Sequence, residues 1–483
     1  RNRNYEKMSS TCLSNVVKHG DWVVIMFETD KSQLLNVNDL SFVRIANFQC
    51  RTLDIAGHTY GSLFEPKVTG NEPKEGPQKM QNKQNGKKRK RGANAETLLA
   101  TLVLVDEPDI NPTNTYLERK RLDLLKDLDE LEKLIESGNA PSDNRALQDN
   151  NKSQSIAEED IESMKGTGMS GEKIVDLLKE NSTTFHTKSD HAQDKYLKSK
   201  QKKHSMRIRI LRCNAQTIGG VLWQRTTLPG SLLAGIRYQD VLPKLLAYGN
   251  VHHGARVLVC DTINGYLLGS VMERLGGCGE AITLYVGPTS PGNTFLNYFN
   301  FSEKEKGTLR KCDMPRLLAG FPGDEHLEVI EAAETRRRKN LAGMGDVNKK
   351  KDEEERFQDW LVKKKKVRQE LKIQKETFRV LREEGADSLV MIAKWEPQRS
   401  LLKLLPYLGS GRRFVVCSEY LEPLVRTREI LEEQKLAIGV RVVDTWFRQY
   451  QVIPLRTHPM MRMNGAGGYL LYGTKVENNP RDE

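Results

Sequence analysis

Between residues 12 and 66 apolar and polar positions alternate in short runs: Trp22-Val23-Val24-Ile25-Met26-Phe27, then Phe42-Val43-Arg44-Ile45, then Thr59 to Phe64. Gly20, Asp30, Asn38 and Gly57 punctuate them. A period of two turns one face of each run inward, and with the apolar run Leu98 to Val105 it predicts a small β-barrel or β-sandwich. From 66 to 95 the chain is rich in Gly, Lys, Gln and Asn and nearly without apolar residues, which reads as a loop or disordered insert. Helical spacing returns over 116–136 (Tyr116, Leu124, Leu125, Leu128, Leu131, Leu134, Ile135), and a polar linker follows to about Met169. Two more helices are predicted, Ser170 to Lys179 and about Ser189 to His204, the second opened by a Thr187-x-x-Asp190 capping box. Up to Trp223 the pattern is strand-like again. This divides the chain into a β-rich domain (1–115), a helical connector (116–205), a strand-like connector (206–240) and a C-terminal domain (241–483).

In that last domain apolar runs of strand length alternate with helical ones. The strands are Arg256 to Cys260, Ile282 to Val286, Leu389 to Ile392, Arg413 to Cys417, Val440 to Val443 and Gly468 to Thr474, with helices at 264–276, 398–408 and 421–437. Alternating β and α over this length predicts a doubly wound, Rossmann-like sheet. A charged segment, 302–385, interrupts it. There Phe357, Trp360, Val367, Leu371, Phe378 and Leu381 lie on a near-heptad seam, broken by Lys364 and Gln374, and Gly385 is the stop. The segment reads as a solvated helix along the domain edge, or as one laid against another subunit.

The 483 residues carry a formal charge of +12, which favours polyanionic partners, nucleic acid ahead of anionic membrane. No apolar run approaches the roughly 20 residues of a membrane span, so no membrane partner is expected. Seven cysteines lie scattered without CxxC spacing, and His252-His253 has no third ligand at metal spacing, so neither a disulfide framework nor a metal site is predicted. Reduced thiols fit the cytosol or the nucleus.

The decisive stretch is Val257-Leu258-Val259-Cys260-Asp261-Thr262-Ile263-Asn264-Gly265, a strand entering a helix. In nucleotide-binding α/β domains this turn is glycine-rich because the backbone must approach the ligand. The methyltransferase form reads roughly apolar, apolar, acid, apolar, Gly, x, Gly, x, Gly. Here Val259 stands at the acid, Asp261 at the first glycine and Ile263 at the second, and only Gly265 is retained. A β-branched residue at the second glycine fills space a methyl donor needs and disfavours a positive φ. The second strand should end in a carboxylate for the ribose hydroxyls, yet Leu284-Tyr285-Val286-Gly287 has none. Two elements of one site are gone, and no cofactor is expected on this chain.

The chain resembles the non-catalytic subunit of the eukaryotic tRNA adenine-N1 methyltransferase, over nearly its whole length. The most specific pieces are Gly171-Glu172-Lys173-Ile174-Val175 through Asn181-Ser182-Thr183-Thr184-Phe185, the segment Lys195 to His204, and Arg456-Thr457-His458-Pro459-Met460-Met461 with Gly467-Gly468-Tyr469. The resemblance implies tRNA as partner and a complex, an α2β2 heterotetramer, that makes 1-methyladenosine at position 58 of the T-loop. It also implies a homologous catalytic subunit that binds S-adenosylmethionine. The catalytic paralogue has an Asp-Leu-Pro-x-Pro stretch whose Asp meets the target adenine; Ala393 stands at that Asp here, and Glu396 falls three residues late.

RNA-binding candidates follow from charge and position. On the helix after Thr187, His191, Lys195, Lys198 and Lys202 recur at spacings of four, three and four and share one face, which Lys200 and Lys203 are expected to widen. Arg456, His458 and Arg462 fall between the last two strands, at a rim where such domains place ligand-contacting loops. Lys87-Lys88-Arg89-Lys90-Arg91 reads as a nuclear localisation signal or an RNA tether, and a nuclear location is expected. The reading is therefore an architectural RNA-binding subunit with a degenerate methyltransferase domain. Its rivals are an active S-adenosylmethionine-dependent RNA methyltransferase with a divergent pocket and a general RNA-binding scaffold.

Overall fold

The computed structural model describes residues 15–27, 31–45, 48–67, 98–105, 154–166, 169, 171–185, 190–204, 207–225, 237, 239–286, 294–320, 325–342, 347–392, 396–452, 457–461 and 466–476. The expectations for 68–95, with the basic run Lys87 to Arg91, for 116–136 and for the Thr187 capping box lie outside the described residues. Contacts divide the chain into two units, Arg1–Cys213 with Tyr450–Pro459, and Asn214–Gln449 with Met460–Glu483.

In the first unit seven described strands form one sheet: β1 (Trp22–Phe27), β2 (Ser32–Asn36), β3 (Phe42–Ile45), β4 (Phe48–Arg51), β5 (Leu63–Lys67), β6 (Leu98–Leu104) and β7 (Ile208–Arg212). Their order is β2-β1-β7-β5-β6-β4-β3. The pairs are antiparallel except β4 with β6. Alternate residues point inward, and Val23, Ile25, Val43, Ile45, Phe48, Cys50, Phe64, Ile208 and Ile210 make one buried cluster, as the period-two pattern requires. β7 lies in the stretch read as a connector, but it pairs with β1 on one side and β5 on the other. Its alternation is visible locally, whereas its partners lie far away along the chain.

Three helices of the same unit follow: α1 (Glu158–Gly166), α2 (Gly171–Glu180) and α3 (Asp190–His204). Ile174, Val175 and Leu178 of α2 are buried. Phe185 packs its ring 5.6 Å from that of Tyr196 on α3. The Tyr196 hydroxyl donates to Gln154 Oε1 at 3.1 Å.

The second unit opens with α4 (Ala215–Arg225), a helix where the pattern up to Trp223 suggested strand. Asn214 Oδ1 accepts the Thr217 N–H at 2.8 Å and starts the helix, and Ile218, Val221 and Leu222 then fall on one buried face. The Gly219-Gly220 pair and β-branched neighbours hide that period.

After α5 (Val241–Tyr248) come β8 (Arg256–Asp261), α6 (Tyr266–Leu275), β9 (Glu280–Tyr285), α7 (Glu303–Lys306), β10 (Leu309–Asp313) and α8 (Met314–Leu318). A hairpin of two long helices, α9 (Glu325–Ala342) and α10 (Val347–Glu383), leads to β11 (Ala386–Ile392), α11 (Pro397–Leu404), β12 (Leu408–Ser418), α12 (Glu422–Glu433), β13 (Ala437–Trp446) and, past a short pairing of β14 (Tyr450–Gln451) with β15 (His458–Pro459), β16 (Ala466–Lys475). The sheet order is β10-β9-β8-β11-β12-β16-β13. β8 to β12 run parallel, and β16 lies antiparallel between β12 and β13. The doubly wound, Rossmann-like expectation is met. The insert is narrower than 302–385, because β10 inside it is a strand of the sheet that pairs with β9. Leu309-Arg310-Lys311-Cys312-Asp313 lies at the sheet edge with too few apolar positions to announce a strand.

The chain winds outward from β8 to β10, then crosses back to β11 on the other side of β8. The C-terminal ends of β8 and β11 are thus the switch point where such sheets hold ligands. At the far end of the sheet Arg237, only 1% exposed, bonds both oxygens of Asp240 at 2.8 and 2.7 Å and donates to the Thr445 carbonyl at 3.0 Å. A Cβ on Gly467 would stand 2.5 Å from this guanidinium and 2.9 Å from the Thr445 carbonyl oxygen, so only glycine fits. Gly467→Ala is expected to cost about 1–3 kcal/mol through overpacking, read as a lower urea midpoint; an unchanged midpoint would mean the buried arginine is free to move aside.

Candidate functional site

The switch-point corner runs from Asp261 to Gly265. Asn264 (φ 59°) and Gly265 (φ 89°) make the left-handed turn from strand into α6, while Ile263 takes no positive φ. The β-branched residue therefore does not carry the strained conformation; it passes to an Asn, which tolerates it, and to the retained glycine.

What fills the corner is the side chain of Asp261. Its Oδ1 accepts the Ile263 N–H at 2.6 Å and its Oδ2 accepts the Leu268 N–H at 2.9 Å. A helix N-terminus offers unpaired N–H groups and partial positive charge, the features that draw an anionic ligand. Here the chain's own carboxyl occupies them. Burial pushes the Asp261 carboxyl above its ordinary value, while N–H groups of Leu268, Ile263, Gly265 and Leu267 hold it back. Ile263 is buried beside it, and Val259, at the position of the acid, is buried in β8.

Three further elements close the surroundings. Thr262 donates its N–H and its hydroxyl to the Ile392 carbonyl at 3.1 and 3.2 Å, tying the corner to the end of β11. The 3-10 turn Thr294–Phe299 lies on α6: the Phe295 N–H donates to the Asn264 carbonyl at 3.0 Å, and a Cβ on Gly269 would come within 2.3 Å of the Phe299 ring. At the end of β9, where a ribose-binding acid would stand, the Tyr285 hydroxyl accepts from Gln374 Nε2 of α10 at 3.3 Å.

Among the described residues here, the titratable and nucleophilic groups are capped, paired or buried. Ala393 lies outside the described residues. Glu396 caps α11 by accepting the Arg399 N–H at 3.0 Å, so it is spent on the helix. Burial pushes the thiols of Cys260, Cys312 and Cys417 up to about 12, which leaves them protonated and poor nucleophiles. His252 and His253 turn Nδ1 to the carbonyls of Asn250 and Leu275 at 2.7 and 2.8 Å. Among the described residues no group of three His, Cys, Asp or Glu is placed to hold a metal. A cleft of about 310 Å³ at the opposite strand ends is lined by Arg256, Glu280, Glu384, Asp387 and Arg412. These charges pair with one another, Arg256 with Glu280 at 2.9 Å and Arg412 with Asp387 at 3.1 Å, and stitch the strand ends together.

The basic candidates are only partly gathered. On α3 Lys195 and Lys203 are exposed, and the side chains of His191, Lys198 and Lys202 lie outside the described residues. Lys200 does not widen the stripe: its Nζ stands over the Tyr196 ring, 5.4 Å from the centroid. At about 100° per residue it points away from the face shared by Lys195, Lys198 and Lys202. Arg456 and Arg462 lie outside the described residues. His458 is exposed on β15, paired opposite Gln451, and Tyr450–Pro459 groups with the first unit. Sequence reading missed Asp261 as a helix cap, the turn at 294–299 and Gln374. Only the first had a local signal, an Asp just ahead of a helix.

A sequence model of the Gcd10p family matches residues 16–354. The chain is similar to the mouse tRNA (adenine(58)-N(1))-methyltransferase non-catalytic subunit, at 34% identity over 405 residues, covering 76% of this chain and 79% of the relative. It is similar to the same subunit from Dictyostelium discoideum, at 28% identity over 470 residues, covering 96% and 80%. Among solved structures it matches a SAM-dependent O-methyltransferase from Thermotoga maritima at 10% identity over 96% of each chain, with a TM-score of 0.44.

The raised Asp261 carboxyl gives a pH signature. Its contribution to stability is complete below about pH 3.9, the ordinary Asp value, and is lost as pH rises through the raised folded value. The difference in unfolding free energy between wild type and Asp261→Asn should therefore fall with rising pH above 4. A difference that stays flat above pH 4 and shrinks only as pH drops below it would mean the carboxyl is depressed, not raised.

Proposed function

The chain belongs to the Gcd10p family, and on that premise we propose that it is the non-catalytic, tRNA-binding subunit of the methyltransferase that forms 1-methyladenosine at position 58 of tRNA. The observation that carries this reading is the Asp261 carboxyl seated on the N-terminus of α6 in place of a donor. S-adenosylmethionine belongs on a homologous catalytic partner. This chain contributes RNA grip and architecture.

The edge strand β13 supports the partner reading. Among the described residues it ends the sheet, with Ile438 63% and Trp446 60% exposed. An unpaired edge with apolar side chains is a template for association, and related domains associate through like faces. The assembly we propose is an α2β2 heterotetramer. We place it in the nucleus, on the basic run Lys87 to Arg91.

Two measurements test the function. Calorimetry of the isolated chain with S-adenosylmethionine should give no saturable heat; one-to-one binding would favour the active-enzyme reading. Purification of the chain from its native cell should bring the methyltransferase homologue with it, and repeated absence of that protein would leave only a general RNA scaffold.

The α3 stripe has its own test. Replacing Lys195, Lys198 and Lys202 by Glu should weaken tRNA binding by the complex and flatten its dependence on salt, by about 0.9 in log–log slope for each phosphate no longer neutralised. An unchanged slope would reduce the stripe to solvated surface.

A further inference from the structure

We propose that the α9–α10 hairpin carries a second RNA-backbone contact, a collar of lysines and arginines around Trp360, separate from the α3 stripe. It rests on the RNA-binding reading above and adds a surface to it.

Arg337 Cζ stands 4.9 Å and Lys364 Nζ 5.8 Å from the Trp360 ring centroid, with Phe357 stacked at 5.9 Å on the same ring. These contacts bring the run Arg336-Arg337-Arg338-Lys339 of α9 to the level of Lys363-Lys364-Lys365-Lys366 of α10. Glu334 is already neutralised: Arg368 at 2.5 Å and Arg338 at 2.8 Å hold its carboxyl below the usual range. Arg336, Lys339, Lys363, Lys365 and Lys366 are exposed, and among the described residues none of them enters an ion pair.

The stem of the arm is fixed. Gln374 and Leu381 are buried, and Phe378 and Leu381 pack on the core of the α/β sheet. At about 1.5 Å per residue, Lys365 lies roughly 24 Å further along the helix axis than Leu381. The α10 cations therefore lie on the same continuous helix, beyond its anchored stem.

Their distribution selects the ligand class. Four consecutive helical residues at about 100° each spread charge around most of the helix circumference instead of along one face. A protein-docking helix needs an apolar stripe, and here the exposed Val329 of α9 and Val362, Val367 and Ile373 of α10 are set apart by charged and polar residues. A ring of cations fits phosphates approached from several directions, a sequence-independent and salt-sensitive attraction.

The test uses the full chain assembled with its methyltransferase partner and a tRNA transcript. In the variant R336E/K339E/K363E/K366E, tRNA binding at low salt should weaken at least about tenfold, and the slope of log K against log salt should become shallower by about 3. Equal affinity and slope in variant and wild type, with wild type binding tRNA, overturns the collar and leaves the subunit reading intact. Wild-type complex without salt-dependent tRNA binding overturns both. A variant that keeps tRNA but sheds its partner makes the hairpin a protein-docking arm, and the proposal fails. Should the variant misfold, a photo-crosslinking residue at Lys365 in the otherwise wild-type complex decides: a crosslink to tRNA supports the collar, and crosslinks to protein alone overturn it.

Discussion

A helix that begins at the ligand-binding edge of a sheet presents N–H groups that must be matched by something. In a nucleotide-binding α/β domain glycines let a ligand approach them. Here one buried carboxyl takes that place: Asp261 accepts from Ile263 and Leu268 within its own turn. A neutral hydrogen bond contributes only about 0.5–1.5 kcal/mol net, but a buried donor left unmatched costs about 1–3. Asp261 is thus tied to this corner more strongly than its own bonds suggest. With the N–H groups matched, the rest of the site is free to close.

The closure is visible in what packs there. A pocket that must admit a donor cannot be crossed by side chains, whereas one without a ligand is a void that packing removes. Phe299 lies on Gly269, Thr262 binds the end of β11, and Gln374 reaches the Tyr285 hydroxyl. The sheet keeps its parallel centre and antiparallel last strand because those depend on the core, where Leu258, Cys260, Leu389, Met391 and Val416 are fully or almost fully buried. Fold and site have come apart: the first is held by apolar burial on both faces of the sheet, the second by a few positions at one edge.

That separation also explains what the sequence made legible. The doubly wound sheet followed from runs such as Leu389 to Ile392, which are buried on both faces and read as continuous apolar stretches. The departure from a glycine-rich turn was legible because glycine requirements are local. β10 was hidden, since an edge strand flanked by polar surface shows few apolar residues. α4 was hidden by a glycine pair, and the placement of β7 by distance along the chain. Lys200 falls off the stripe by helical spacing itself, at about 140° from Lys195, and its Nζ lies over the Tyr196 ring one turn back on that other side of α3. The plugging contacts from Phe299 and Gln374 join residues remote in sequence, and no local pattern encodes them.

Gln374 gives the filled site a mechanical consequence. It belongs to α10, the helix that also carries Trp360 and the lysine run, and it lies buried against the end of β9. Had that edge remained open for a donor, the stem of the hairpin would have had to clear it and would have given up the Tyr285 bond. Filling the edge lets the helix bear directly on the sheet through Gln374, Phe378 and Leu381. The packing of the β9 edge and the anchoring of the charged hairpin are therefore one structural fact seen from its two ends.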